Sequence, residues 1–301
     1  MKNFILLFFF ISFLSSAQNK KLFFKTENDS IISVIDEKGN IIIEPFISEY
    51  HYNNNEEIQN GIIYISLKKE KKNYYVNREG KFLFYSYNNK EPDTPKEYSI
   101  RFSDKNGKTG IADLAGNILI PAKYDYVCPF NFGFVYYCQE CYFDREKDTE
   151  YPSLTGAKTF GYLDRNGKEI TVTDKKKNNK DTREEHGKYI PYQFSYNDFE
   201  KKILQKLKKN SEKINRINIS EGDQLTFEII KRPDQNIPYY FIKLYRFQEN
   251  ANFSTDNDDA VGFNFYADET GNIFVHHYQR DGNDYKKILV PLDEWLKHSD
   301  D

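Results

Sequence analysis

One short phrase recurs along this chain of 301 residues, and it constrains the fold more than any other feature. An apolar pair precedes an acidic or polar residue; two variable residues, a glycine and a second apolar run follow. It reads Val34-Ile35-Asp36-Glu37-Lys38-Gly39-Asn40-Ile41-Ile42-Ile43 and returns as Ile111-Ala112-Asp113-Leu114-Ala115-Gly116-Asn117-Ile118-Leu119-Ile120. It returns again as Tyr162-Leu163-Asp164-Arg165-Asn166-Gly167-Lys168-Glu169-Ile170, with a weaker copy from Tyr75 to Phe84 through Asn77 and Gly80. Recurrence of one supersecondary unit predicts a repeat architecture.

The chemistry of the phrase predicts a hairpin. An Asp or Asn side chain accepts a hydrogen bond from the backbone two residues on, and glycine takes the positive φ that closes a turn with a bulge. Asp36 to Gly39, Asn77 to Gly80, Asp113 to Gly116 and Asp164 to Gly167 are therefore read as turns between paired strands. Their carboxylates set backbone geometry and do not form a catalytic array. A calcium ladder is not expected either, because the dense glycine-rich nonapeptide pattern is missing.

The third copy runs on through Ile118-Leu119-Ile120-Pro121-Ala122-Lys123-Tyr124-Asp125 to Phe132-Gly133-Phe134-Val135. This resembles the WG-repeat family, whose unit is a Gly-led strand, a D-x-x-G turn, an apolar strand ending near Pro, a Tyr-Asp pair and a further Gly-led strand. The match covers roughly residues 30–172. Where the family has tryptophan before glycine, this chain has Thr109 and Phe160; its one tryptophan, Trp295, lies elsewhere. Pro45 keeps the proline in the first copy, and the second and fourth lose it. The resemblance implies β-hairpin repeats in a secreted or surface protein without a shared catalytic set.

Export is expected independently. Lys2, the apolar stretch Phe4 to Leu14 and the small residues Ser15-Ser16-Ala17 read as a signal peptide over residues 1–17. That stretch is shorter than the roughly 20 apolar residues of a membrane span. A periplasmic or extracellular protein follows, with no transmembrane segment. The formal charge of −3 argues against nucleic acid as partner, since such binders carry a strongly basic face.

The 24 tyrosines and 25 phenylalanines favour β-strands, where most of these rings would pack in the core or across strand pairs. An exposed subset would make a sugar-binding platform. Of the cysteines Cys128, Cys138 and Cys141, the last two have CxxC spacing, but they sit among strand-like residues. A redox pair opens a helix, and a zinc site needs further ligands. A strand-end disulfide and two inert thiols both remain open.

Polar insertions at Asn88 to Glu97 and Asp144 to Lys158, stiffened by Pro92, Pro95 and Pro152, are the candidate contact loops of the repeat part, residues 18–172. The run Asp174-Lys175-Lys176-Lys177-Asn178-Asn179-Lys180-Asp181 makes 173–190 a polar linker or loop. An α+β unit is expected over 191–301. Its helix starts at an Asn197/Glu200 capping box, carries Phe199, Ile203, Leu207 and Ile214 on one face, and packs on a four-stranded antiparallel sheet, in a cystatin-like order. The opposite face, Lys201, Lys202, Lys206, Lys208, Lys209 and Lys213, is a solvated face, or else a contact for anionic lipid.

The fold class expected is thus mainly β with an α+β C-terminal domain. No catalytic, cofactor or metal residues are assigned. His276 and His277 are neighbours on a strand and point to opposite faces, and Asp256-Asn257-Asp258-Asp259 fails the EF-hand spacing. No G-x-S-x-G elbow occurs. The function expected is a non-enzymatic exported binding or scaffold protein, its partner a protein or an envelope glycan. The alternatives are a secreted hydrolase or toxin-like effector acting through the C-terminal half, and envelope association through the lysine face of 197–214.

Overall fold

The computed structural model describes residues 20–87, 91–144, 153–217, 224–234, 237–247, 260–281 and 284–299. The signal-peptide segment lies outside them. A three-stranded sheet comes first, β1 (Leu22–Glu27), β2 (Ile31–Asp36) and β3 (Ile41–Ile47). A six-stranded meander follows: β4 (Ile62–Leu67), β5 (Lys72–Asn77), β6 (Phe82–Ser86), β7 (Ser99–Ser103), β8 (Thr109–Asp113) and β9 (Ile118–Tyr124). Next in the chain are β10 (Tyr126–Val127), β11 (Phe134–Gln139), a small hairpin of β12 (Tyr142–Asp144) and β13 (Ser153–Thr155), and β14 (Thr159–Asp164), with β10, β11 and β14 forming one sheet. All pairings are antiparallel.

The recurring phrase makes one turn throughout. At Asp113 the side-chain Oδ1 accepts the N–H of Ala115 at 3.0 Å and of Asn117 at 2.8 Å, and Gly116 donates to the Asp113 carbonyl at 3.0 Å. Asp36, Asn77 and Asp164 repeat this arrangement. Each glycine has positive φ, and a register shift beside it marks the bulge in β2–β3, β5–β6 and β8–β9. Three further turns follow the same plan: Asp104 to Gly107, Glu184 to Gly187, and Asp268 to Gly271.

The turns also stack the copies. A Cβ added to Gly80 would lie 3.3 Å from Ile43 of β3, and one added to Gly116 would lie 3.1 Å from Leu83 of β6. Gly167 sits in the same way on Leu119 and Ile120 of β9. Each copy therefore seats its turn on the third strand of the copy before it, which buries a continuous core.

The polar segment 173–190 packs against the repeat part through Ile190. It folds into a hairpin, β15 (Thr182–Arg183) and β16 (Tyr189–Ile190), around the Glu184 turn, and Ile190 joins the core formed by β9, β11 and β14. Asp181 is buried, taking the amides of Lys177, Asn178 and Tyr192 at 2.8, 2.8 and 2.9 Å.

The C-terminal part holds α1 (Asp198–Lys209), α2 (Ser211–Ile217), β17 (Gln224–Lys231), β18 (Tyr240–Phe247), β19 (Ala260–Ala267), β20 (Ile273–Asp281), β21 (Asp284–Pro291) and α3 (Leu292–Trp295). The sheet has five strands in the order β17-β18-β19-β20-β21, which corrects the expected four. The capping box forms, with Asn197 accepting from the Glu200 amide and Glu200 from that of Asn197. The helix breaks at Asn210, so the expected single element becomes two. Ile203, Leu207 and Ile214 pack with Phe227, Ile242, Phe265 and Trp295 on one face of the sheet. Ile230, Phe241 and Tyr245, on the opposite face, meet Tyr98, Phe132 and Phe194.

One buried carboxylate joins the two halves. Glu97 takes the N–H of Gly133 at 3.1 Å, the Arg165 guanidinium at 2.9 Å and the Tyr245 hydroxyl, while Arg165 also reaches the Glu97 carbonyl at 3.0 Å. Glu97 and Tyr98 form a two-residue reversal between Lys96 and Ser99, with φ of 46° and 60°. Such turns want Asn-Gly, and two large residues there cost about 1–3 kcal/mol each. The Glu97 contacts, with Tyr98 packed against Phe241, hold the reversal in place. Within the first candidate contact loop Asp93 is also buried, with Arg101 on it at 2.7 Å, whereas Glu91, Thr94 and Pro95 are exposed.

Two predictions follow from the turns. Gly107 has open space around its Cα and Gly116 does not, so G107A should cost about 1 kcal/mol and G116A clearly more, about 2–3 kcal/mol, in urea unfolding. Equal losses would contradict the stacking. The carboxyls also set an acid limit. The Asn40 side chain holds Asp36 low; at Asp268 burial opposes the shift, but bonds from Thr270 and Asn272 bring it to about 2. Their stabilisation is complete above pH ~4 and is lost as the pH falls toward these lowered values. Glu97 has the opposite sign, because burial raises it against Arg165, so its contribution declines as pH rises. The melting temperature should fall between about pH 4 and 2, and less steeply in a D36N/D104N/D268N variant; parallel curves would refute the assignment.

Candidate functional site

Two places on the molecule gather side chains beyond what packing needs. The first is the β11–β14 sheet. Tyr136 lies opposite Tyr162, and Cys138 opposite Phe160, so these residues share one face. Tyr136 and Tyr162 have ring centroids 5.9 Å apart, Tyr136 and Phe160 6.3 Å, and the His186 ring stacks on Phe160 at 6.3 Å. Phe160 stands 52% exposed, its ring beside those of Tyr136 and His186.

The repeat turns position this face. His186 is in the Glu184 turn, and its Nδ1 lies 2.9 Å from the Glu184 carboxylate. Burial acts to raise Glu184, but the Lys188 amide and the His186 ring hold it below its ordinary value. Burial pushes the Tyr136 and Tyr162 hydroxyls up, so both stay protonated donors.

Cys138 and Cys141 form a disulfide at the end of β11, which settles the open alternative, and Cys128 is buried with its Sγ accepting from the Tyr136 amide at 3.0 Å. Asp125, from the Tyr-Asp pair, caps the disulfide loop through the Glu140 amide at 2.7 Å and takes Lys108 at 2.6 Å. The loop then delivers Tyr142, 63% exposed, and Phe143 to the start of the 144–158 insertion. Residues 145–152 of that insertion lie outside the described residues.

The second place is a cleft of about 760 Å³ between the 178–180 segment, α1–α2 and β17. Behind the lining residues Lys180, Tyr192 and Tyr196, Glu228 is fully buried, with Lys180 on one oxygen at 2.8 Å and the hydroxyls of Tyr192 and Tyr196 on the other. The Tyr196 oxygen in turn accepts the Ile229 amide at 3.2 Å. Burial, then the Glu228 charge, raises both tyrosines, so they act as donors. Lys180 also lies over the Tyr192 ring at 4.9 Å.

The other sequence-selected residues divide clearly. On α1, Lys201, Lys202, Lys208 and Lys209 are exposed and Lys206 is half-buried, as in a solvated helix face. His276 meets the Tyr266 hydroxyl at 3.2 Å. Asp256 to Asp259 lie outside the described residues. Among the described residues no three His, Cys, Asp or Glu side chains gather as a metal site, and no helix is long and apolar enough to cross a membrane. An exposed apolar residue does recur five positions after the turn residue, as Ile41, Phe82 and Ile118.

Sequence reasoning missed Glu228 and His186, and placed Glu97 only as the end of a candidate contact loop. The Glu184 turn had a visible signal, since Glu184-Glu185-His186-Gly187-Lys188 matches Asp164-Arg165-Asn166-Gly167-Lys168 with Glu for Asp. Comparison with protein-family models, with curated proteins and with solved structures gives no match.

Glu228 has Lys180 as its countercharge, so K180M should destabilise by about 3 kcal/mol, and the double variant K180M/E228L by distinctly less. Urea midpoints of the two proteins check this; a double variant as unstable as the single would contradict the pairing.

Proposed function

We propose that this chain is an exported, non-enzymatic binding or scaffold protein built on WG-like β repeats, working in the periplasm or outside the cell. The aromatic face on β11–β14 carries the reading. Phe160, Tyr136, Tyr162 and His186 present ring faces and protonated hydroxyls side by side. Such rings offer an apolar surface to the C–H face of a sugar, with polar tips for its hydroxyls. Of the two partner classes expected, protein and envelope glycan, this face favours the glycan. The exposed Tyr142 beside the 144–158 insertion extends the same chemistry.

The repeat plan supports the division of labour. Turn residues are held by backbone bonds within each copy, whereas the exposed rings sit at positions where the copies differ. Phe160 occupies the place before Gly161 that tryptophan holds in the WG-repeat family, so the resemblance puts a large ring there as well.

Affinity electrophoresis of the mature protein through purified envelope polysaccharide tests the proposal. F160A should lose at least tenfold in affinity with its melting temperature nearly unchanged, and F82A, which removes an exposed ring from another sheet, should bind normally. Unaltered retardation of F160A would refute the aromatic face as the site.

A further inference from the structure

We propose that the cleft between β17 and α1–α2 binds an extended acidic peptide of a partner protein, which pairs with β17 as an added strand. The site is separate from the aromatic face and does not depend on the glycan reading.

The edge of the sheet is the first argument. β17 is the outermost strand on its side, and the Ile229 N–H points away from β18 to the Tyr196 hydroxyl. Backbone groups alternate in direction along an antiparallel strand, and the register from Leu225 to Ile229 is unbroken. The N–H and C=O groups of Phe227 and Leu225 therefore point the same way as those of Ile229, out of the sheet and into the cleft. Natural sheets cover or blunt such an edge. Here α1–α2 and residues 178–180 flank it and leave about 760 Å³ open, a volume in the range of ligand sites. The Ile229 amide is already taken by Tyr196, so the open edge runs from Leu225 to Phe227 and pairs with roughly three residues at about 3.3 Å each.

The walls select the occupant. Lys201 and Lys208 line the helix side against one exposed acid of the lining, Glu212, while Lys180 and the buried Glu228 neutralise each other. The Lys201 ion pair is with Asp198, which is itself 93% exposed and weakly held. Leu204, Leu225 and Phe227 form the apolar side of the cleft, suited to alternate side chains of an added strand.

The test is selection of random peptides displayed on phage against the full mature chain, followed by fluorescence anisotropy with the most enriched sequence. The expected result is an acidic consensus with alternating apolar residues. Binding should weaken at least tenfold in K201E/K208E and persist in K202E/K209E, which changes exposed lysines outside the cleft. Backbone N-methylation of the peptide should abolish binding, and its addition should slow amide exchange at Leu225 and Phe227. A selection without binders or without acidic bias overturns the proposal. So does equal binding by K201E/K208E, or unchanged exchange at those two amides.

Discussion

A single buried carboxylate, Glu97, fixes the relation between the two halves of this protein. It sits in a tight reversal that its backbone would not choose, and its oxygens take donors from three separate parts of the chain, Gly133, Arg165 and Tyr245. Removing water from such a group is expensive unless every lone pair is used. The sheet of β17–β21 is held on one face by its helices and on the other by Tyr98, Phe132 and Phe194. Both surfaces singled out for binding rest on this arrangement. The aromatic face is built on the strand that ends in Arg165's turn, and the cleft is walled by the segment that leads from the repeats to α1.

The repeat turn is the local counterpart of that long-range clasp. One acceptor oxygen satisfies two backbone amides, glycine closes the loop, and the next copy seats on the strand that results. Because the turn bonds lie within five residues, they are indifferent to what the flanking strands expose. The strands can then vary, and they do so at Phe160, where the preceding copy has Thr109, and at Tyr142. Ligand-binding chemistry on such a scaffold belongs to the positions that differ between copies.

Much of this was legible in the sequence, for a physical reason. Turns at Asp36, Asn77, Asp113 and Asp164, the Asn197 capping box and the apolar face of α1 all depend on residues close in sequence. The Glu184 turn carried the same signal more faintly, because a longer acid replaces Asp and polar residues precede it, so the segment reads as a linker. The fifth strand, β21, opens with Asp284-Tyr285-Lys286-Lys287, too polar at its start to declare a strand. Glu97 and Tyr245 are 148 positions apart, and Glu228 meets Lys180 across 48, so only the folded chain reveals either partnership. The aromatic face was equally silent: Tyr136 and Tyr162 pack partly against the core like the rings of any strand, and exposure sets apart only Phe160 and His186.

The account stands on the two halves being one body. The only tryptophan, Trp295, lies in the helix-covered core of the C-terminal sheet and reports that half alone. Urea unfolding followed by Trp295 fluorescence, and in parallel by hydrogen-exchange mass spectrometry of peptides around Ile111 in the repeat half, measures the coupling directly. The account predicts coincident transitions in the wild type and separated ones in E97A. Separated transitions in the wild type, or an E97A protein that still unfolds in one step at an unchanged midpoint, would contradict it.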